Sequence, residues 1–137
     1  MRLFVDTSGF KAFYDERDAH HPGALTFVET LRQRKLPYTF VFTSDYVFDE
    51  TVTLIRMAHS LEKAVEFGDA LLASRVINLV KLDDGLIRQG WAVFKQHRDR
   101  TFSFTDCTSF ALMKQMEAQD AFSFDRNFDQ AGFRTVP

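Results

Sequence analysis

Residues 1–9 read Met1-Arg2-Leu3-Phe4-Val5-Asp6-Thr7-Ser8-Gly9. The apolar run Leu3-Phe4-Val5 stops abruptly at Asp-Thr-Ser-Gly, which is how a short buried strand gives way to a loop. Beyond it the β pattern is lost. Residues 9–14 fit one or two helical turns, 15–21 are polar loop, and 23–34 place Leu25, Val28 and Leu31 at helical spacing behind Pro22, a residue suited to a helix start. Strand patterns return at 38–42 after Pro37, at 76–80, at 122–124 and at 134–136. Helical patterns fill the intervals: 45–58 behind the capping pair Thr43-Ser44, then 61–74, 84–97 and 105–118, with a turn or short helix at 127–132. Strands separated by helices need crossover connections, and crossovers lay helices on both faces of a sheet. The expected fold is α/β: a three-layer α/β/α domain with a mostly parallel central sheet, in a single domain over 1–137.

Composition agrees with one packed domain. The 137 residues are 45% hydrophobic and 26% charged, with 16 Phe to fill a core. The lone Cys107 excludes an intrachain disulfide and a cysteine-rich zinc cage. Asp6 arrives too early for a signal peptide's apolar core, and no apolar run is long enough to span a bilayer, so a cytoplasmic protein without membrane attachment is expected. A net charge of -2 excludes broadly basic, non-specific nucleic-acid binding but allows a local basic rim.

In parallel α/β sheets, ligands bind beyond the carboxyl ends of the strands, where the chain leaves the sheet and side chains converge. Asp6 closes the first strand and Asp125 closes the run 121–124. Read alone, each is a turn-forming Asp bonding its own backbone. On the helix over 45–58, Glu50 falls on an arc with Val47, Leu54, Met57 and Ala58, while Asp49 turns outward near Arg56. Asp106 shares a helix face with Phe110 and Met113, and Ser103-Phe104-Thr105-Asp106 also has the form of a capping box. Four carboxylates in one place call for a cation or several protons, since two of them about 4 Å apart repel by about 4 kcal/mol at an effective dielectric of 20. Hard oxygen ligands select Mg²⁺ or Mn²⁺, and such a site suits phosphodiester hydrolysis.

Assembled in order, these pieces resemble the PIN-domain family and, within it, the VapC-type toxins of toxin-antitoxin modules. The matching segments are Phe4-Val5-Asp6-Thr7-Ser8, Asp49-Glu50-Thr51-Val52-Thr53-Leu54, Phe104-Thr105-Asp106-Cys107, and Ser123-Phe124-Asp125-Arg126-Asn127-Phe128 followed by Ala131-Gly132-Phe133. The resemblance spans nearly the whole chain. It implies a Mg²⁺- or Mn²⁺-dependent endoribonuclease, with Asp6, Glu50, Asp106 and Asp125 as the acidic metal-binding and catalytic quartet. It implies polar support from Thr7 or Ser8 and from Thr105, with Asp129 a less certain fifth acid. An RNA substrate, a cognate antitoxin protein and a homodimer are its implied partners, and a non-catalytic PIN-like RNA- or protein-binding scaffold is the alternative.

Other residues carry less. His20-His21 are adjacent, cannot share a helix face, and read as polar loop before Pro22. Cys107 reads as a packed thiol, and residues 95–100 as a solvated helix end or an RNA-contacting rim. A phosphoryl-receiver domain wants an acidic pair at the first strand, where this chain has Asp6-Thr7. A haloacid-dehalogenase-like phosphatase wants a second acid two residues after its nucleophile, where this chain has Ser8.

Overall fold

The computed structural model describes residues 1–137. Its strands are β1 (Arg2–Val5), β2 (Phe40–Ser44), β3 (Ile77–Val80), β4 (Asp120–Phe122) and β5 (Arg134–Val136). Its helices are α1 (Thr7–Tyr14), α2 (His21–Arg32), α3 (Asp45–Ala58), α4 (Leu61–Leu72), α5 (Asp84–Gln96), α6 (Phe104–Gln115) and α7 (Arg126–Gln130). All pairings are parallel, in the order β3-β2-β1-β4-β5, with Leu3 opposite Val41 on one side and Asp120 on the other. β1 is therefore central, which explains its unbroken apolar run: Leu3, Phe4 and Val5 are all buried, so neither face needs a polar residue. Around Phe4 the core is aromatic, with the rings of Phe42, Phe128 and Phe110 interlocked mostly edge to face at centroid distances of 5.1–6.0 Å.

Three elements differ from the sequence reading, each for a physical reason. β4 starts earlier than expected because the buried strand residue Asp120 disguises it. That carboxylate accepts bonds from Tyr38 Oη and from the Arg134 guanidinium on the neighbouring strand, and the pairing holds it below the usual range despite its burial. Residues 123–124 have consequently left the sheet, and Asp125 caps α7 instead of ending a strand. β2 runs on through Ser44, which also caps α3 by accepting the Val47 N–H at 3.0 Å. On α3, the buried stripe is Val47, Thr51 and Ile55, whereas Met57 is 80% exposed and Leu54 is 38% exposed. The polar Thr51 at the centre of that stripe, bonded to Thr7 Oγ1 at 3.3 Å, is what displaces the apparent apolar arc toward Leu54 and Met57.

Two glycines set how closely layers approach. A Cβ on Gly9 would lie 2.5 Å from the Phe122 carbonyl oxygen, so only glycine lets the start of α1 sit on the end of β4. A Cβ on Gly90 of α5 would likewise lie 2.8 Å from the Thr108 methyl of α6. α6 is enclosed on every side, with all eight residues from Asp106 to Met113 buried.

Candidate active site

Each of the four acids is delivered by a local feature of the chain. Asp6 follows β1 and caps α1, and Asp125 caps α7 by accepting the Asn127 N–H at 2.9 Å. Asp106 stands at the third position of α6 in a complete capping box: Ser103 Oγ accepts the Asp106 N–H, and Asp106 Oδ2 accepts the Ser103 N–H, both at 3.0 Å. Glu50 comes from the second turn of α3, half-buried, with Asp49 beside it fully outward. Asp6, Asp106 and Asp125 thus each serve a helix start and also face a common space. All four acids line one cleft of roughly 640 Å³, together with Lys11, Asp18, His20, Leu54 and Phe124 among others.

The hydrogen bonds fall on one side of these carboxylates. Asp6 Oδ2 accepts the Ser8 N–H at 3.3 Å, the Ser8 hydroxyl at 2.8 Å and the Ser123 hydroxyl at 3.0 Å, while Oδ1 accepts none. Asp106 Oδ2 takes the Ser103 N–H and the Asn127 amide at 3.0 Å, again leaving Oδ1 free. Asp125 uses only Oδ1, and Glu50 makes no side-chain hydrogen bond. No buried side-chain polar atom lacks a partner, so these free oxygens open on the cleft.

Electrostatics record the crowding. Burial, reinforced by the nearby Asp106, pushes Asp6 up to about 7 against the opposing bonds from Ser8 and Ser123. Asp106 is also raised, first by burial and then by Asp125 and Glu50. Arg126 and Lys11 are the cationic residues lining the cleft; Lys11 is bound to Asp15 and Asp18 at 3.3 and 2.9 Å, and Arg126 forms no salt bridge. Free carboxylate oxygens gathered on one cleft are a donor set that suits a hard divalent cation.

The other expected residues separate. Ser8 supports Asp6 directly, whereas Thr7 bonds Thr51, and Thr105 offers only its carbonyl, to Thr108 and Ser109. Asp129 lies outside the cleft and binds Thr135. Cys107 is buried and pushed up to about 11 by that burial and by Asp106, as a packed thiol should be. His21 turns to the Ala12 carbonyl oxygen, 2.8 Å from its Nδ1, and His20 to Phe124, so they form no metal pair. Ser123 and Asn127 carry bonds that the sequence reading did not assign.

Two other concave or clustered features lack this chemistry. Asp15, Glu16 and His59 bring potential ligand atoms within 4.8 Å of one another, but Lys11, Arg17 and Lys63 already neutralise the two acids. A more apolar groove between α2 and β5, lined by Phe27, Leu36, Tyr38, Val136 and Pro137, has one charged residue, Arg134, which is paired with Asp120.

A wholly parallel sheet flanked by helices, with four acids lining one cleft, makes this an α/β domain with an acidic site, and the PIN domain model matches residues 3–134. The chain is 36% identical over 136 residues to the 23S rRNA-specific endonuclease VapC20 of Mycobacterium tuberculosis, covering 98% of this chain and 97% of the relative. A crystal structure of VapC20, described as a sarcin-ricin loop cleaving toxin, superposes with a TM-score of 0.87 at 35% identity over 98% of both chains. A VapC ribonuclease of Archaeoglobus fulgidus is 28% identical over 129 residues, covering 93% of this chain and 80% of that one. The Rickettsia felis VapBC2 complex with a promoter DNA fragment shares the fold, with a TM-score of 0.72 at 9% identity over 99% of this chain and 98% of that one. The chain belongs to the PIN-domain family and, within it, to the VapC-type ribonuclease toxins of toxin-antitoxin systems.

Proposed function

We propose that Asp6, Glu50, Asp106 and Asp125 together hold Mg²⁺ or Mn²⁺ and form the centre at which this ribonuclease hydrolyses RNA phosphodiester bonds. The observation that carries this reading is the set of unpartnered carboxylate oxygens opening on one cleft, against raised proton affinity at Asp6 and Asp106. When bound, such an ion supplies the acidity that ionises a water molecule at neutral pH and offsets charge gathering on the phosphoryl oxygens. The protein's part is positional. Ser8 and Ser123 fix Asp6 through Oδ2 and so aim Oδ1, while Ser103 and Asn127 do the same for Asp106. Glu50, without side-chain hydrogen bonds of its own, is free to turn toward the incoming water.

The likeness to VapC20 supports a structured ribosomal RNA loop as substrate, cut in the cytoplasm, and membership of the VapC toxins supports inhibition by a cognate antitoxin. Leu54 on the cleft rim, with Met57 on α3 and Leu61 and Val65 on α4, leaves exposed apolar surface for that polypeptide. The large exposed side chains of α5 support a homodimer. No helix is long and apolar enough to cross a membrane. The test is cleavage of a sarcin-ricin loop RNA and a panel of unrelated RNAs with Mg²⁺, with Mn²⁺ and with excess chelator. Cutting that requires the ion is expected; undiminished cutting in chelator would overturn the metal assignment.

A further inference from the structure

One wall of the cleft is aromatic. His20 and Phe124 both line it and lie flat against each other, with ring centroids 4.5 Å apart and planes 10° apart. Both residues are anchored through the main chain. The backbone N–H of His20 donates to Asp18 Oδ1 at 2.8 Å, and the backbone N–H of Phe124 donates to Ser8 Oγ at 2.9 Å, the same hydroxyl that holds Asp6. Phe124 also packs edge-on against buried Phe122 at 5.9 Å. Phe124 is half-buried and His20 exposed, so the imidazole is the outer plate of the stack. Next in the chain come Asp125, with its free oxygen, and exposed Arg126, which lines the cleft without a salt bridge.

Proteins that bind unpaired RNA splay out a base and stack it on an aromatic or histidine ring, and hold the backbone by its phosphates. A flat ring pair with one open face, one residue from a cleft carboxylate and two from an unpaired guanidinium, supplies both contacts. We propose that His20, stacked on Phe124, is the base-stacking shelf of the cleft and that Arg126 binds the adjoining phosphate, so that a nucleotide flanking the scissile bond is held by base plane and backbone. This rests on the ribonuclease reading of the same cleft.

The test uses a short single-stranded RNA carrying 2-aminopurine at successive positions, mixed with full-length protein in Mg²⁺. Quenching is read on mixing, and cleavage of the same RNA is followed afterwards. The wild type should quench at one or two adjacent positions. His20→Phe, which keeps the plate, should quench likewise with KM within about twofold, whereas His20→Ala should lose quenching and raise KM about tenfold with kcat little changed. Arg126→Gln should keep quenching and reduce the slope of log affinity against log salt by about 0.7, the single-strand value for one phosphate contact. Thermal melts of each variant separate these effects from a loosened fold. Quenching and KM unchanged in His20→Ala, or His20→Phe failing as His20→Ala does, would overturn the shelf. Position-specific quenching without cleavage would support the shelf and sink the ribonuclease reading for that RNA, and cleavage without quenching would do the reverse.

Discussion

At the scale of single residues, Asp6 is poised between two charges. Its carboxyl, pushed up to about 7 chiefly by burial, returns to its ordinary value of 3.8 when the chain unfolds. Between these values the folded state binds the extra proton. Its contribution to stability is therefore complete below the unfolded value and is lost as pH rises through about 7. Metal-free protein should melt at a lower temperature at pH 8 than at pH 5, and Asp6→Asn should flatten that difference. The lowered carboxyls of Asp15, Asp18 and Asp120 act in the opposite sense, but their window lies below the ordinary value, outside this comparison. Calorimetry in chelator checks both, and equal slopes for wild type and Asp6→Asn would refute the assignment. Asn keeps the shape but removes the charge, so the same substitution should reduce cleavage to background. Asp49→Asn, on the outward face of α3, should leave it near wild type. Ser123→Ala should weaken Mn²⁺ binding about 10- to 100-fold, as loss of an outer hydrogen-bond partner of a ligand does; titration calorimetry measures it. That the four acids share a cleft was legible in the sequence because strand ends, helix starts and helix faces are local signals. Ser123 was not, because its work is a bond to a residue 117 positions away.

At the scale of elements, the junction of α1 with β4 decides where Asp6 points. Gly9→Ala gains about 1 kcal/mol of helix propensity, yet places a methyl 2.5 Å from a backbone oxygen that cannot swing aside. The clash should win, destabilising the protein by about 1–3 kcal/mol and depressing cleavage as α1 shifts. Gly23→Ala in α2 meets nothing within 4 Å and should stabilise by up to about 1 kcal/mol without touching activity. Urea denaturation of the pair reads the opposite signs, and a stabilised Gly9→Ala would show that the junction is slack. The alternation of strands and helices was readable because the apolar run of β1 and the helical periods are properties of neighbouring residues. Burial by another layer is not such a property. Asp120 fell outside the expected strand because its partners Tyr38 and Arg134 are distant in sequence, and the burial of Thr51 depends in the same way on Thr7.

For the whole molecule, assembly turns on α5. Trp91 and Phe94 stack at 5.6 Å on its outer side, 52% and 42% exposed, and both lean on Phe104 at about 6 Å. Water gains nothing from two large rings held in this way, whereas a second copy related by a two-fold axis would cover both at once. Homodimers bury about 800 Å² or more per partner, and aromatic anchors carry most of such an interface. The double substitution Trp91→Ser, Phe94→Ser should convert a dimer into a monomer with the fold retained, since the buried side of α5 is Leu86 and Gly90. Light scattering at high micromolar concentration reads the state directly. Phe104 also opens the helix that carries Asp106, two residues on, and touches Tyr46, one helical turn before Glu50. A dimer joined through α5 would therefore brace two of the four acids, and the monomeric variant should cut more slowly, with the loss in kcat. A wild type that is monomeric at that concentration, or a double variant that still dimerises, would remove α5 from the assembly.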